Sequence, residues 1–491
     1  MTTKTTHFIG GKWISGTGPL FQSINPATEE VVWEGNEADE LEVDEAVKAA
    51  RRAFTDWSQQ EVESRIHHLK TFRDILTKEK ATLADTISKE NGKTLWESVI
   101  EVTSMIGKVD ISIDAYHIRC PDVHKAQPSG MLTTKHRPHG VISVLSPFNF
   151  PGHMPNSHII PALLAGNTIV LKPSEVTPLT AELTVKYWEE SGLPQGVINL
   201  VQGGRATGVA LSQHPDIDGL LFTGSWATGS QLAELMGKTP NKILALEMGG
   251  NNALVIGRIS DLKTAAYLTI QSAFLSAGQR CTCARRLIVP EGPQGDRFLQ
   301  TLVAMTKTLK IGPYTDKPEP FMGPVINKQT ASRLLAAQKE LISLGGIPIL
   351  PLFQLDQGPA FLSPGIIDMT QVSGRPDEEL FGPFLQLIRV KDFKEAIEEA
   401  NRTRYGLTAG LLSDSKEEFD EFYKASTTGL FTWNTQMTGG SSAAPFGGIG
   451  RSGNNRPSGY YAADYCAYPF VSLESPKMLM PTTPVPGVTN G

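Results

Sequence analysis

VISVLSPFNFPGHMPNSHIIPALLAGNTIVLK, residues 141–172, decides the fold. Val141 to Leu145 is a short apolar run rich in β-branched residues and predicts a strand. Asn156 to Ala165 predicts a helix stopped by Gly166, and Thr168 to Leu171 predicts the next strand. Two strands joined through a helix pair in parallel with a right-handed crossover. The same alternation continues downstream. Pro178 to Ser191 reads as a helix ended by Gly192, Val197 to Val201 as a strand, and Gly219 to Phe222 and Ile243 to Leu246 as strands with the helix Ala227 to Met236 between them. The expected fold class is α/β with a doubly wound parallel sheet, whose ligands sit outside the carboxyl ends of the strands.

Working outward, a second α/β unit is expected beyond this sheet. Leu254 to Ile256 and Leu287 to Val289 are strands flanking a helix from about Leu262 to Ser276, and Ala331 to Leu344 is a helix ended by Gly345-Gly346. Upstream, Phe8 to Ile14, Ser15-Gly16 and Asn25 to Thr28 before Val31-Val32-Trp33 read as a small antiparallel hairpin and turn. Between Val43 and Arg119 the apolar spacing predicts three packed amphipathic helices. Two stretches fit neither unit, the Pro-containing run Pro121 to His139 and the end from Tyr460 to Pro476. They read either as two ordinary surface loops or as a paired arm that docks on another subunit, and the resemblance given below implies the arm. Met480 to Gly491, rich in Pro, Thr and Gly, reads as a loose tail.

The chain's 491 residues call for more than one core. A net charge of −6 gives no long-range attraction to nucleic acid or an anionic membrane, so neither is an expected partner. Ile159 to Leu171 is the best apolar stretch, but Pro161, Gly166 and Asn167 interrupt it and it is too short to span a bilayer. Met1 to Gly11 lacks the pattern of a signal peptide. The four cysteines, Cys120, Cys281, Cys283 and Cys466, form no Cys-x-x-Cys pair, so no thiolate metal site or disulfide framework is expected and a reducing cytoplasm fits.

Chemistry concentrates in Gly278-Gln279-Arg280-Cys281 and Leu246-Glu247-Met248-Gly249-Gly250. A thiolate at Cys281 can add to a carbonyl, and a carboxylate at Glu247 can later activate the water that releases a thioester. A lone cysteine is more often a small buried hydrophobe. Here Ser276, Ala277, Gly278 and Gln279 place the thiol at a helix exit, where backbone can approach a substrate. Cys281 belongs to the second unit and Glu247 lies at its border with the first, so the reactive cleft is expected between them.

No Gly-x-Gly-x-x-Gly follows the first parallel strand. Instead Gly224-Ser225-Trp226-Ala227-Thr228-Gly229 follows the strand ending in Phe222 and opens a helix, where backbone N–H groups can receive a pyrophosphate. Ser230-Gln231 replaces the Lys-Ser/Thr of an ATP-binding loop, which favours a dinucleotide. By itself this stretch is equally a plain strand-to-helix turn. Lys172 and Glu175 follow the strand Thr168 to Leu171. An acidic group near the adenosine ribose accepts from its hydroxyls and repels a 2′-phosphate, favouring NAD over NADP, while the plainer reading is a solvated pair at a helix start.

These residues resemble the aldehyde dehydrogenase superfamily from about Phe8 to Val471. The likeness rests on Pro147 to Pro151, Leu171 to Glu175, Phe222 to Ser225, Glu247 to Gly250, Gly278 to Cys281, Glu379-Leu380-Phe381-Gly382-Pro383 and Pro445-Phe446-Gly447-Gly448. The resemblance implies a dinucleotide-binding domain over 1–120 and 141–247, a catalytic domain over 248–453, an oligomerisation arm from 121–140 and 454–479, and a homodimer or homotetramer. It implies NAD as cofactor, no metal and a small aldehyde as substrate. It further implies that Cys281 attacks the aldehyde, that the Asn149 amide and the Cys281 backbone N–H hold the oxyanion, and that Glu247 activates water. Glu379 and Phe381 are implied on the nicotinamide ribose, Lys172, Glu175 and Ser225 on the adenosine and phosphate side, Phe446 at the substrate, and Cys283 as a packing neighbour. Within the family, Asn149 to His153, Glu247 to Asn252, Gly278 to Arg286 and Arg456 to Cys466 are most similar to a branch of arginine catabolism whose semialdehyde carries several carboxylates. Arg280 is then the expected carboxylate clamp, with a structural ion pair as its alternative. A CoA-acylating relative and a non-catalytic NAD-binding scaffold are the rival readings. Glu247 speaks against the first, and Asn149, Glu247 and Cys281 together against the second.

Overall fold

The computed structural model describes residues 4–478, 480 and 485–488, so the expected tail over 480–491 lies mostly outside the described residues. One seven-stranded sheet runs in the order Ile243–Met248, Gly219–Gly224, Val141–Leu145, Thr168–Lys172, Ile198–Leu200, His7–Ile9, Lys12–Ile14. The first five strands are parallel. The last two form the expected hairpin, which turns through Gly10 and Gly11 at positive φ. Val141–Leu145 and Thr168–Lys172 are buried at every position, as strands covered on both faces must be. One face packs against helices that contribute Leu69, Phe72, Val109, Leu163 and Trp188. The other packs against helices that contribute Val43, Ala46, Val47, Leu211 and Leu232.

From Val141–Leu145 the chain steps outward through Thr168–Lys172 to Ile198–Leu200, then returns to place Gly219–Gly224 on the opposite side. That reversal opens a crevice at the carboxyl ends of Val141–Leu145 and Gly219–Gly224. The second seven-stranded sheet is ordered Ile347–Leu350, Gly365–Asp368, Phe384–Val390, Arg286–Pro290, Ala253–Ile256, Thr408–Leu412, Leu430–Trp433, and only its first strand is antiparallel. Its own core gathers Leu254, Phe274, Leu287, Phe298, Leu302, Phe384 and Leu411.

Two expectations are corrected and one helix is added. The stretch 43–119 lies in four helices, Glu40–Trp57, Val62–Lys78, Lys80–Asn91 and Leu95–Arg119, where three were expected. Glu79 alone separates the second from the third, at φ −92° and ψ 13°, and a one-residue break leaves apolar periodicity almost undisturbed. A further helix, Arg205–Gln213, lies between the strands Ile198–Leu200 and Gly219–Gly224; it buries only Thr207, Leu211 and Ser212, too little apolar surface to signal itself. The segment 454–479 is not one arm. Its strand Ala467–Glu474 does pair antiparallel with Gly130–Pro138, which in turn pairs with Val123–Gln127, but Ala462, Ala463, Tyr465 and Cys466 are buried in the core of the first unit.

Candidate active site

The loop carrying Cys281 is held by its neighbours rather than by regular structure. The helix Leu262–Phe274 gives way to Ser276, Ala277 and Gly278, with φ of 54°, 54° and 69°. Left-handed backbone at two non-glycine residues is costly and persists only where the surroundings enforce it. Gly278 is required twice over, because a Cβ there would also collide with the Gly382 carbonyl. The buried Arg285 guanidinium donates to the carbonyls of Gly278 at 2.6 Å, Arg280 at 2.9 Å and Gly382 at 3.3 Å. The Asn252 amide donates to the carbonyls of Cys281 at 2.6 Å and Cys283 at 2.9 Å. Sequence reading gave neither Asn252 nor Arg285 a role in the site. Their one signal was position, two residues after Gly250 and two residues after Cys283. Cys281 is partly exposed, whereas Cys120, Cys283 and Cys466 are buried.

Glu247 sits near the end of the edge strand of the first sheet, in register with Thr223 on its neighbour, so both side chains project from the same face. It is buried and accepts a hydrogen bond from Thr223 Oγ1 at 3.2 Å through Oε2. Its Oε1 is buried and has no hydrogen-bond partner among the described residues. Burial pushes this carboxyl up to about 7; Ser458, Thr223 and the Lys108 ammonium oppose the rise, Ser458 from outside hydrogen-bond geometry. Asn149, just past the strand Val141–Leu145, donates from Nδ2 to the Gln279 carbonyl at 3.0 Å, two residues before Cys281. Its second N–H is left for another acceptor. Asn149 and Glu247 thus come from carboxyl ends of the first sheet. Cys281 comes from the amino side of Arg286–Pro290 in the second, so the cleft joins opposite strand ends of the two sheets. Burial pushes the Cys281 thiol up to about 12, with Glu379 and Glu247 adding to the rise and Arg285 opposing it, so the resting nucleophile is a neutral thiol.

Glu379 lies against the same turn. Gly250 N donates to it at 3.2 Å, Arg285 stands 3.8 Å away, and burial pushes its carboxyl up to about 7. The Phe381 ring meets Phe148 edge-on, with centroids 5.9 Å apart, which ties it to the Asn149 segment. At the far side of the crevice Ser225 caps the helix Trp226–Met236 and accepts from Thr228 N. The backbone N–H groups of Trp226 and Ala227 open that helix, and helix geometry gives them no intrahelical acceptor. Gly229 lies inside the helix, as the expected helix Ala227 to Met236 has it, and a Cβ there would strike the Met248 sulfur, so its smallness serves helix-to-strand packing. Gly224 closes the preceding strand. Lys172 is buried, donates to the Pro173 carbonyl at 2.6 Å and stands 3.9 Å from the exposed Glu175 carboxylate.

Arg280 takes the alternative role. Its guanidinium is 2.7 Å from Glu97, donates to Ser276 Oγ at 2.9 Å and to the Thr438 carbonyl at 3.2 Å, and lies over the Phe150 ring. The expectation of a substrate clamp is therefore corrected to the structural ion pair: Nε, Nη1 and Nη2 each donate within the protein, and the Glu97 contact holds the nucleophile loop to the helix Leu95–Arg119. Phe446 lies on a two-residue strand, paired in register with Ser458, and it is Ser458 that acts on the Glu247 carboxylate.

Residues 13–469 match the Aldehyde dehydrogenase family. The chain is 53% identical over 485 residues to the N-succinylglutamate 5-semialdehyde dehydrogenase of Ectopseudomonas mendocina (strain ymp), covering 99% of this chain and 100% of the relative. Among solved structures, a variant of Thermus thermophilus 1-pyrroline-5-carboxylate dehydrogenase superposes with a TM-score of 0.91 at 29% identity, over 96% of this chain and 93% of that one. Betaine aldehyde dehydrogenase from Staphylococcus aureus, solved with NAD+, superposes with a TM-score of 0.89 at 26% identity, over 97% and 96% of the two chains.

Proposed function

The chain belongs to the aldehyde dehydrogenase family, and from that premise we propose that it oxidises N-succinyl-L-glutamate 5-semialdehyde to N-succinyl-L-glutamate with NAD, as a cytoplasmic homo-oligomer in arginine catabolism. The substrate follows the name of the relative that matches this chain nearly end to end. The observation that carries the chemistry is a partly exposed Cys281 close enough to the buried Glu247 for that carboxylate to act on its thiol, with Glu247 Oε1 lacking a hydrogen-bond partner among the described residues.

The crevice suits a dinucleotide. The exposed start of the helix Trp226–Met236 offers backbone N–H groups to a pyrophosphate. Lys172 and Glu175 stand together at the end of a strand and suit an adenosine ribose, while Glu379, against Gly250, and Phe381, against Phe148, suit the second ribose. Bound NAD supplies the acceptor for the hydride that leaves the aldehyde carbon.

Cys281 gives its proton to water, its sulfur bonds to the aldehyde carbon and the carbonyl π pair moves onto oxygen, forming a thiohemiacetal oxyanion. The second Asn149 N–H and the Cys281 backbone N–H stabilise the oxyanion. After oxidation the acyl group remains on sulfur as a thioester. Glu247 takes a proton from water, the water oxygen bonds to the acyl carbon, the C–S bond breaks, and the acid leaves with the electron pair returned to sulfur. Initial rates with succinylglutamate semialdehyde, glutamate semialdehyde and short aliphatic aldehydes, each with NAD and NADP, test the reading. The highest kcat/KM is expected for the succinylated substrate with NAD, and a preference for a neutral aliphatic aldehyde would refute the substrate assignment.

A further inference from the structure

The helix His153–Ala165 is buried along almost its whole length, and it carries a histidine, His158, with no exposed surface. A buried imidazole is tolerated when both nitrogens are engaged. His158 Nδ1 lies 3.1 Å from the Tyr465 hydroxyl and Nε2 lies 3.0 Å from Thr223 Oγ1. Thr223 Oγ1 in turn donates to Glu247 Oε2 at 3.2 Å. Four residues from four elements therefore form one buried chain that ends on the Glu247 carboxylate. Burial, and then the Lys108 ammonium, hold the His158 ring down to about 3, so it is neutral at working pH.

A neutral imidazole has one donor and one acceptor, and a threonine hydroxyl has one proton to give. When Glu247 is ionised it only accepts, so Thr223 gives its proton to Glu247. Thr223 Oγ1 must then accept from His158 Nε2–H, and His158 Nδ1 must accept from Tyr465. The direction of each bond follows from the charge at one end.

We propose that His158 is a positioning residue for thioester hydrolysis: anchored by Tyr465, it fixes the Thr223 hydroxyl as a donor to Glu247 Oε2 and leaves Oε1 as the oxygen that takes the proton from water. This rests on the reading of Glu247 as the base. Thr223 lowers the proton affinity of the carboxylate, against burial, which raises it. The charged and titratable groups around the chain are Lys108 from the helix Leu95–Arg119, Tyr465 and Cys466 from the helix Ala462–Cys466, and the Cys281 thiol.

Thr223→Val removes the donor and keeps the shape, Thr223→Ser restores it, and Tyr465→Phe releases the far anchor with little change in packing. The NADH burst and the dependence of kcat on pH are read for each, with Glu247→Gln as reference. The expected result is a normal burst in Thr223→Val, with the rise of kcat moved about one pH unit to the alkaline side. Thr223→Ser should follow the wild type and Tyr465→Phe should shift less. A Thr223→Val profile that overlays the wild type, equal losses in the Val and Ser variants at every pH, or loss of the burst would overturn the proposal. A Glu247→Gln enzyme with undiminished steady turnover would instead remove the base reading, and this inference with it.

Discussion

The side-chain amide of Asn252 donates to the carbonyl of Cys281 at 2.6 Å and to that of Cys283 at 2.9 Å, so one residue beside the Gly249-Gly250 turn clamps both sides of Thr282. Its Oδ1 also accepts from Thr408 N at 3.3 Å, which anchors the loop to a strand of the second sheet. Replacing Asn252 by Ala leaves two carbonyls without this donor in a largely buried site. A stability loss of about 1–3 kcal/mol is expected by denaturant titration. The NADH burst should also slow, because the nucleophile loses its fixed position.

Arg280 and Glu97 form an ion pair with side chains 12% and 0% exposed. Removing one partner strands the other, so Arg280→Leu should cost about 3–5 kcal/mol in unfolding measurements. Its effect on KM should be of similar size for succinylglutamate semialdehyde and for a neutral aldehyde. A KM increase confined to the anionic substrate would return Arg280 to the role of clamp.

Glu247 and Glu379 are both pushed up to about 7 from an ordinary 4.5, chiefly by burial. Protonation of each therefore favours the folded state. That stability is fully present below the ordinary value and is lost as pH rises through about 7, by about 3 kcal/mol for each group. The base works only when ionised, so kcat limited by hydrolysis should rise about tenfold from pH 6 to pH 8 while the melting temperature falls. Parallel rate and melting curves across this range check both signs.

Much of this was legible in the sequence because the signals were local. Val141 to Leu145 and Thr168 to Leu171 are β-branched runs bounded by Gly140 and Gly166, and the strands lie where the runs do. The stretches around Asn149, Glu247 and Cys281 announce themselves through glycine and proline that only a close backbone approach requires. What was not legible depends on partners distant in the chain. Arg280 beside a nucleophile suggests a clamp until Glu97, 183 residues away, is seen to occupy it. Gly229 closes a glycine-bounded stretch that suggests a phosphate site, and its packing against Met248 is a second demand for glycine that the spacing does not announce. His158 and Tyr465, 307 residues apart, carry no pattern that links them. The C-terminal segment read as one arm because burial of Tyr465 and Cys466 against the helices of the first unit is set by tertiary packing rather than by any period in the chain.

The central claim is that the oxidised fragment stays on Cys281 until Glu247 delivers water. Intact-protein mass spectrometry of Glu247→Gln, quenched in acid after one turnover with succinylglutamate semialdehyde and NAD, measures this directly. The account predicts one acyl adduct per active site, mapped to the peptide containing Cys281 and formed with one equivalent of NADH. NADH formed with no adduct on that peptide, or undiminished steady turnover by the variant, would contradict it.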